Sequence, residues 1–177
     1  AGPVSVCPRG EVFKLPEQKD YQKEFKRLQH HVKEERLKGR EIVVVMGVGF
    51  VGAVMAGVVA DSVNADGQPN KFVIGMQRPS TRSYWKIPYI NRGVAPVEAE
   101  DPEVAPLIER CVKQKKTLIA TFTFDALSLA DVVIVDVQCD YFKETFGNVR
   151  QGHADIAALE DSPKIIGEKI NPECLVL

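Results

Sequence analysis

The feature that most constrains this chain is a run of five apolar residues, Ile42-Val43-Val44-Val45-Met46, that leads directly into Gly47-Val48-Gly49-Phe50-Val51-Gly52 and then Ala53-Val54-Met55-Ala56-Gly57-Val58-Val59-Ala60. A short, mostly β-branched apolar run reads as a strand buried on both faces of a parallel sheet. The glycine pattern G-x-G-x-x-G closes a tight turn, and the Ala/Val/Met run after it reads as a buried helix. A side chain at Gly47 or Gly49 would keep a diphosphate away from the backbone, and amides around Phe50 and Val51, at the positive end of the helix, would face the phosphates. Gly52 lets the helix pack closely on the strand.

The remaining elements fit one α/β chain. A helix is expected over 20–38, capped by Asp20, with Tyr21, Phe25, Leu28, Val32 and Leu37 as its apolar stripe and Gly39 ending it. Residues 1–19 hold Gly2, Pro3, Pro8, Gly10 and Pro16 without a sustained period and read as an irregular arm. Strands are expected at 72–76, 117–121 and 132–135, with the start of another at 174–177. Further helices are expected at 84–91, broken at Pro88, at 102–115, and at 155–170, kinked or divided at Pro163. A turn or two of helix is expected at 126–130. The fold class that follows is a Rossmann-like doubly wound parallel sheet with an N-terminal helical extension. Residues 1–40 form the extension and residues 41–177 the dinucleotide-binding domain.

In such folds the end of the second strand meets the adenosine ribose, where an acid favours NAD and a nearby Arg favours the 2′-phosphate of NADP. That position carries Gln77-Arg78-Pro79-Ser80-Thr81-Arg82, with no carboxylate. Gln77 can hydrogen-bond a ribose, while Arg78, Arg82 and the hydroxyls can hold a phosphate. Both cofactors stay open at this point.

Bulk composition excludes several classes. With 177 residues, Lys+Arg 23 against Asp+Glu 24 and a net charge of −1, there is no electrostatic case for nucleic acid or an anionic membrane. Cys7, Cys111, Cys139 and Cys174 make no C-x-x-C pair, which argues against a zinc or redox site and for reduced thiols. His30 and His31 face different sides of their helix and do not make a metal pair. Apolar runs fall short of the roughly 18 residues of a membrane span, and no signal peptide is visible, so a cytoplasmic setting is expected. Asp125, Asp131, Asp136, Asp140 and Asp155 read as caps and strand-end solvation, and His153 as a surface loop residue.

Four further segments sharpen the picture: Ile90-Asn91-Arg92-Gly93-Val94-Ala95-Pro96 ahead of an acidic loop and Pro106-Leu107-Ile108-Glu109; Ala130-Asp131-Val132-Val133-Ile134; Ala154-Asp155-Ile156; and Ile166-Gly167 with Pro172 before Leu175-Val176-Leu177. With the glycine turn, they make the stretch from about Glu41 to the last residue resemble the UDP-glucose/GDP-mannose dehydrogenases, which oxidise nucleotide sugars to uronic acids. The N-R-G-x-x-P segment is the specific part.

The resemblance implies an N-terminal NAD-binding domain, then a long central helix and a sugar-nucleotide domain that this chain lacks. The family's catalytic Cys and Lys would lie beyond its end. The intact enzyme would be a homodimer that acts in polysaccharide biosynthesis by two hydride transfers, through a Cys-bound thiohemiacetal and thioester. This chain alone would bind cofactor without turnover, through Gly47, Gly49, Phe50, Val51, Gly52, Gln77, Arg78, Thr121 and Cys139. It departs from the family at Gln77, in place of the acid, at Phe122 beside the retained Thr121, and at Cys139-Asp140, in place of Thr-Pro. Two other readings are a non-catalytic nucleotide-sensing module and an S-adenosylmethionine methyltransferase.

Overall fold

The computed structural model describes residues 2–137, 140–142, 153–155 and 157–177. The apolar run forms β3 (Glu41–Met46), the strand around which the others are laid. Residues Ile42 to Met46 are buried on both faces, as a central parallel strand requires. On one side β3 pairs with β4 (Lys71–Met76), which pairs with β5 (Leu118–Thr121); on the other it pairs with β6 (Val132–Val135), which pairs with β9 (Leu175–Val176). All four pairings are parallel, and the order β5-β4-β3-β6-β9 reverses direction between β3 and β6. This is the expected Rossmann-like α/β sheet, including the strand begun at the chain's last residues. A separate antiparallel pair, β7 (Asp140–Phe142) and β8 (His153–Asp155), follows β6 and was not expected.

One layer over the sheet comes from α2 (Phe50–Asp61) and α4 (Val104–Glu109), the latter continuing as one wider π turn over Arg110–Gln114. Their Ala53, Ala56, Ala60, Leu107, Ile108 and Cys111 share a core with Val43, Val45, Val73 and Leu118. The expectation of a buried helix holds for one side of α2 and is corrected on the other, where Phe50, Val51, Met55 and Val58 are exposed. Only the small-residue side fits against its neighbours. A methyl group at Gly57 would stand 3.0 Å from Leu107 and Ile108 side-chain atoms.

The opposite layer contains α1 (Gln18–Leu37), a 3-10 helix at Phe124–Leu129 and α5 (Ala157–Lys169). From them Leu28, Val32, Ala126, Leu127 and Ile166 pack on Ile42, Val44, Phe72 and Ile74. The N-terminal helix is thus part of the sheet's cover. Its ends differ from expectation. Glu17 precedes the first turn and its N–H donates to the Asp20 carboxylate at 2.8 Å, so Asp20 closes the turn from inside the helix. Gly39, at φ +76°, does end it, but Leu37 is exposed and Glu35 is buried in its place, held by Lys38 and Arg40.

Three other boundaries move. The arm holds a hairpin of β1 (Val4–Val6) and β2 (Val12–Lys14), turned at Gly10 with φ +84°, too short to show a period. It docks on α3 (Lys86–Asn91) through Cys7 Sγ to Tyr89 Oη at 2.9 Å and the Ser5 hydroxyl, which accepts from the Trp85 N–H. Pro88 does not break α3, because it lies in the first turn, where its missing N–H is not needed. Asp155 belongs to β8, and α5 runs through Pro163 undivided.

If α1 is a true half of the core, Leu28→Ala should cost about 2–4 kcal/mol in denaturant unfolding. A loss below about 0.5 kcal/mol would show that the helix only rests on the sheet.

Candidate functional site

Three backbone segments meet where β3 and β6 end. Gly47 (φ +105°) leaves β3 in a conformation that L side chains avoid, and a Cβ there would lie 2.0 Å from the Asp136 carbonyl oxygen. At Gly52, in the first turn of α2, a Cβ would lie 2.0 Å from the Gly47 carbonyl oxygen and 2.7 Å from Asp136 Oδ2. These two glycines are therefore demanded by the chain itself. Gly49 is different: its φ of −73° is ordinary, and a Cβ there would meet nothing within 4 Å. Nothing in the described fold requires that this position be bare.

That space opens into a cleft of about 690 Å³ at the carboxyl ends of the strands, across the reversal of strand order. This is where open parallel sheets bind ligands. Gly47, Gly49, Phe50 and Val51 line it. The first N–H groups of α2 precede any intrahelical acceptor, and no side chain caps the helix. Ala53 N–H is the first to bond back, to Gly49 O at 3.1 Å. Asp136, whose N–H donates to Met46 O at 2.8 Å, adds a carboxylate beside this helix start, on the side where the dipole favours it.

Gln77 and Arg78, at the exit of β4, also line the cleft. The Gln77 side-chain oxygen accepts from the Val48 N–H at 3.1 Å, so this residue braces the glycine turn from the neighbouring strand. Thr121, in contrast, is not brought to the cleft. It is fully buried, and its hydroxyl donates to Glu24 on α1 at 2.7 Å and accepts from the Thr123 N–H at 3.4 Å. Cys139 lies outside the described residues. Of the expected set, Gly47, Gly49, Phe50, Val51, Gln77 and Arg78 line one cleft, with Gly52 beneath as packing.

Several lining residues escaped the sequence reading. Ser83, Lys86, Phe124, Asp161, Ser162 and Ile165 come from the turn after β4, α3, the 3-10 helix and α5. No local pattern marks them, because α5 reaches the cleft from more than 100 residues downstream of the glycine turn. The N-R-G-x-x-P segment, the most specific motif, is structural here. Asn91 donates to Ala120 O at 3.0 Å and accepts from Ala120 N–H at 2.8 Å, closing the outer edge of β5. Arg92 pairs with Glu11 at 2.7 Å and lies over the Phe13 ring, while Gly93 turns the chain at φ +77°. Asp131 is a cap as expected, accepting from the Ile42 N–H at 2.8 Å and pairing with Arg36.

A second hollow, of about 540 Å³, runs along α1 and β5, past Glu24, Arg27, His31 and Glu35. Its charges are mostly paired with each other, Arg27 with Glu24 and Lys38 with Glu35, and no glycine lines it. The glycine cleft is the better candidate.

Strand order, glycine turn and cleft define a Rossmann-like, doubly wound α/β domain. The particular likeness is to nucleotide-sugar dehydrogenases. The NDP-N-acetyl-D-galactosaminuronic acid dehydrogenase from Methanosarcina mazei Go1 matches with a TM-score of 0.65 and 29% identity, over 84% of this chain and 29% of its own. GDP-mannose dehydrogenase from Pseudomonas aeruginosa matches with a TM-score of 0.51 and 28% identity, over 71% of this chain and 24% of its own. The UDP-D-ManNAc dehydrogenase from Pyrococcus horikoshii, at 23% identity and a TM-score of 0.54, shares the fold. These matches are consistent with an N-terminal dinucleotide-binding domain, and the chain spans less than a third of the length of each. No protein-family model and no curated protein matches the chain. Among the described residues no helix is long and apolar enough to cross a membrane.

The three glycines should separate in experiment. Gly49→Ala should leave thermal stability within about 0.5 kcal/mol, and Gly49→Val should weaken nucleotide binding at least about tenfold without unfolding the chain. Gly52→Ala should cost about 3 kcal/mol whether or not nucleotide is present. Equal destabilisation at Gly49 and Gly52 would mean that Gly49 is bare for the fold's sake.

Proposed function

We propose that this chain is the cofactor-binding part of a nucleotide-sugar dehydrogenase, an enzyme that oxidises a UDP- or GDP-sugar to its uronic acid by two hydride transfers. The observation that carries this reading is the unfilled space at Gly49, opening on the uncapped start of α2 at the reversal of strand order. A bare backbone and a helix N-terminus together fit a diphosphate. The likeness to sugar-nucleotide dehydrogenases at 28–29% identity supports the choice of reaction.

A nicotinamide dinucleotide would be held with its diphosphate on the Gly47–Gly52 turn and the amides of Phe50 and Val51, and its adenosine end at Gln77 and Arg78. When bound, it supplies hydride acceptance. The chain's own residues bind and orient. Gln77 fixes the turn through Val48, Asp136 ties the end of β6 to the end of β3 through Met46, and Phe124 and Ile165 give the cleft apolar walls.

Residues 1–40 serve as a structural extension of the domain formed by 41–177. The groups that attack the sugar, the sugar-reading surface and a homodimer interface belong to further parts of the enzyme, in a cytoplasmic setting. Polysaccharide precursor synthesis is the role consistent with a uronic acid product.

Calorimetric titration of the chain with NAD and with NADP should show one-to-one binding of at least one of them, and no reduced cofactor should appear when UDP-glucose or GDP-mannose is added. Binding of S-adenosylmethionine in their place would overturn the reading.

A further inference from the structure

On the reading just given, we propose that the exit of β4 is a 2′-phosphate subsite, so that this cleft selects NADP over NAD. Three cations, Arg78, Arg82 and Lys86, line the cleft, contributed by the strand exit, the turn after it and the first residue of α3. None of them has an ion-pair partner among the described residues. Most other arginines among the described residues are paired: Arg27 with Glu24, Arg36 with Asp131, Arg40 with Glu35, Arg92 with Glu11 and Arg110 with Asp61.

The NAD-selecting arrangement needs an acceptor for the ribose 2′-hydroxyl. Here the β4 exit carries no carboxylate, and the Gln77 side-chain oxygen already accepts one bond, from the Val48 N–H. The carboxylates that line the cleft, Asp136 and Asp161, come from the end of β6 and from α5, and not from the β4 exit. An oxyanion therefore fits the β4 end better than a hydroxyl that must donate.

The turn is built to hold its shape. The Ser83 hydroxyl donates to Arg78 O at 2.9 Å and lies 2.7 Å from the Ser80 hydroxyl, while Trp85 Nε1–H donates to Arg82 O at 2.9 Å. Both guanidinium-bearing residues are thus fixed by their own carbonyls, with their side chains free for a ligand. Lys86 is half-buried, and loss of water around its ammonium lowers its pKa. A buried unpaired cation is costly, and a phosphate dianion offsets that cost.

The test is calorimetric titration of the chain with NADP, NAD, and the adenosine-end probes 2′,5′-ADP and 5′-AMP. The expected result is NADP binding at least about tenfold tighter than NAD, and 2′,5′-ADP at least about tenfold tighter than 5′-AMP. In Arg78→Ala/Arg82→Ala and in Lys86→Met, each checked for native near-UV circular dichroism, both ratios should fall toward one. NAD binding as tightly as NADP would overturn the subsite and leave the dinucleotide reading standing. A preference for NADP that survives both variants would also overturn it. If no dinucleotide or adenosine probe binds, the dinucleotide reading fails and the subsite fails with it.

Discussion

The structure depends on one close approach, where the end of β3, the start of α2 and the end of β6 come together with no side chain between them. A single methyl at Gly47 or Gly52 would be driven to 2.0 Å from a carbonyl oxygen, a distance that non-bonded atoms do not reach. This seam brings the start of α2 against the carboxyl edge of the sheet, at the place where the strand order reverses. Everything the cleft offers follows from it: the exposed helix start, the bare Gly49, and Gln77 bonded across from β4. The seam also sorts the three glycines of one motif into two kinds, two that the fold demands and one, Gly49, at which it leaves open space.

The second layer has its own logic. The segment between β5 and β6 contributes only a short 3-10 helix, which cannot cover the sheet face over Phe72 and Ile74 alone. The chain's N-terminal helix packs there, with Leu28 and Val32 inward and the buried Glu35 neutralised by Lys38 and Arg40. Glu24 and Arg27 from the same helix reach the Thr121 hydroxyl and the Ala120 carbonyl. The extension therefore shapes the edge of the sheet as well as its face. Its hairpin does the same for α3 through Cys7, Ser5 and Glu11.

What the sequence made legible was local. The run from Ile42 to Met46, the glycine turn and the Val132–Val135 strand announced themselves, since a strand buried on both faces must be apolar throughout and a tight turn must spend glycines. Which face of α2 is buried was not legible, because a helix apolar on all sides carries no periodic signal, and only the packing of Gly57 against Leu107 and Ile108 reveals it. Thr121 was carried over from the family resemblance, and its hydroxyl bonds to Glu24, 97 residues earlier, and not to the cleft. Lys86 and the α5 residues at the cleft could not be found locally, since their role comes from where distant elements converge. The N-R-G-x-x-P segment was recognised by its pattern, but its work at the β5 edge became visible only once Asn91 was seen to bond both polar groups of Ala120.

On the function proposed above, an adenine dinucleotide lies with its diphosphate on the Gly47–Gly52 turn. Amide-resolved NMR of the labelled chain, titrated with NADP and with NAD, tests it most directly. The largest shifts should fall on Gly47, Val48, Gly49, Phe50 and Val51, with Gln77 and Arg78 following and the α1 side of β5 unchanged. Shifts concentrated along Glu24, Arg27, His31 and Leu118, with the glycine turn silent, would contradict it.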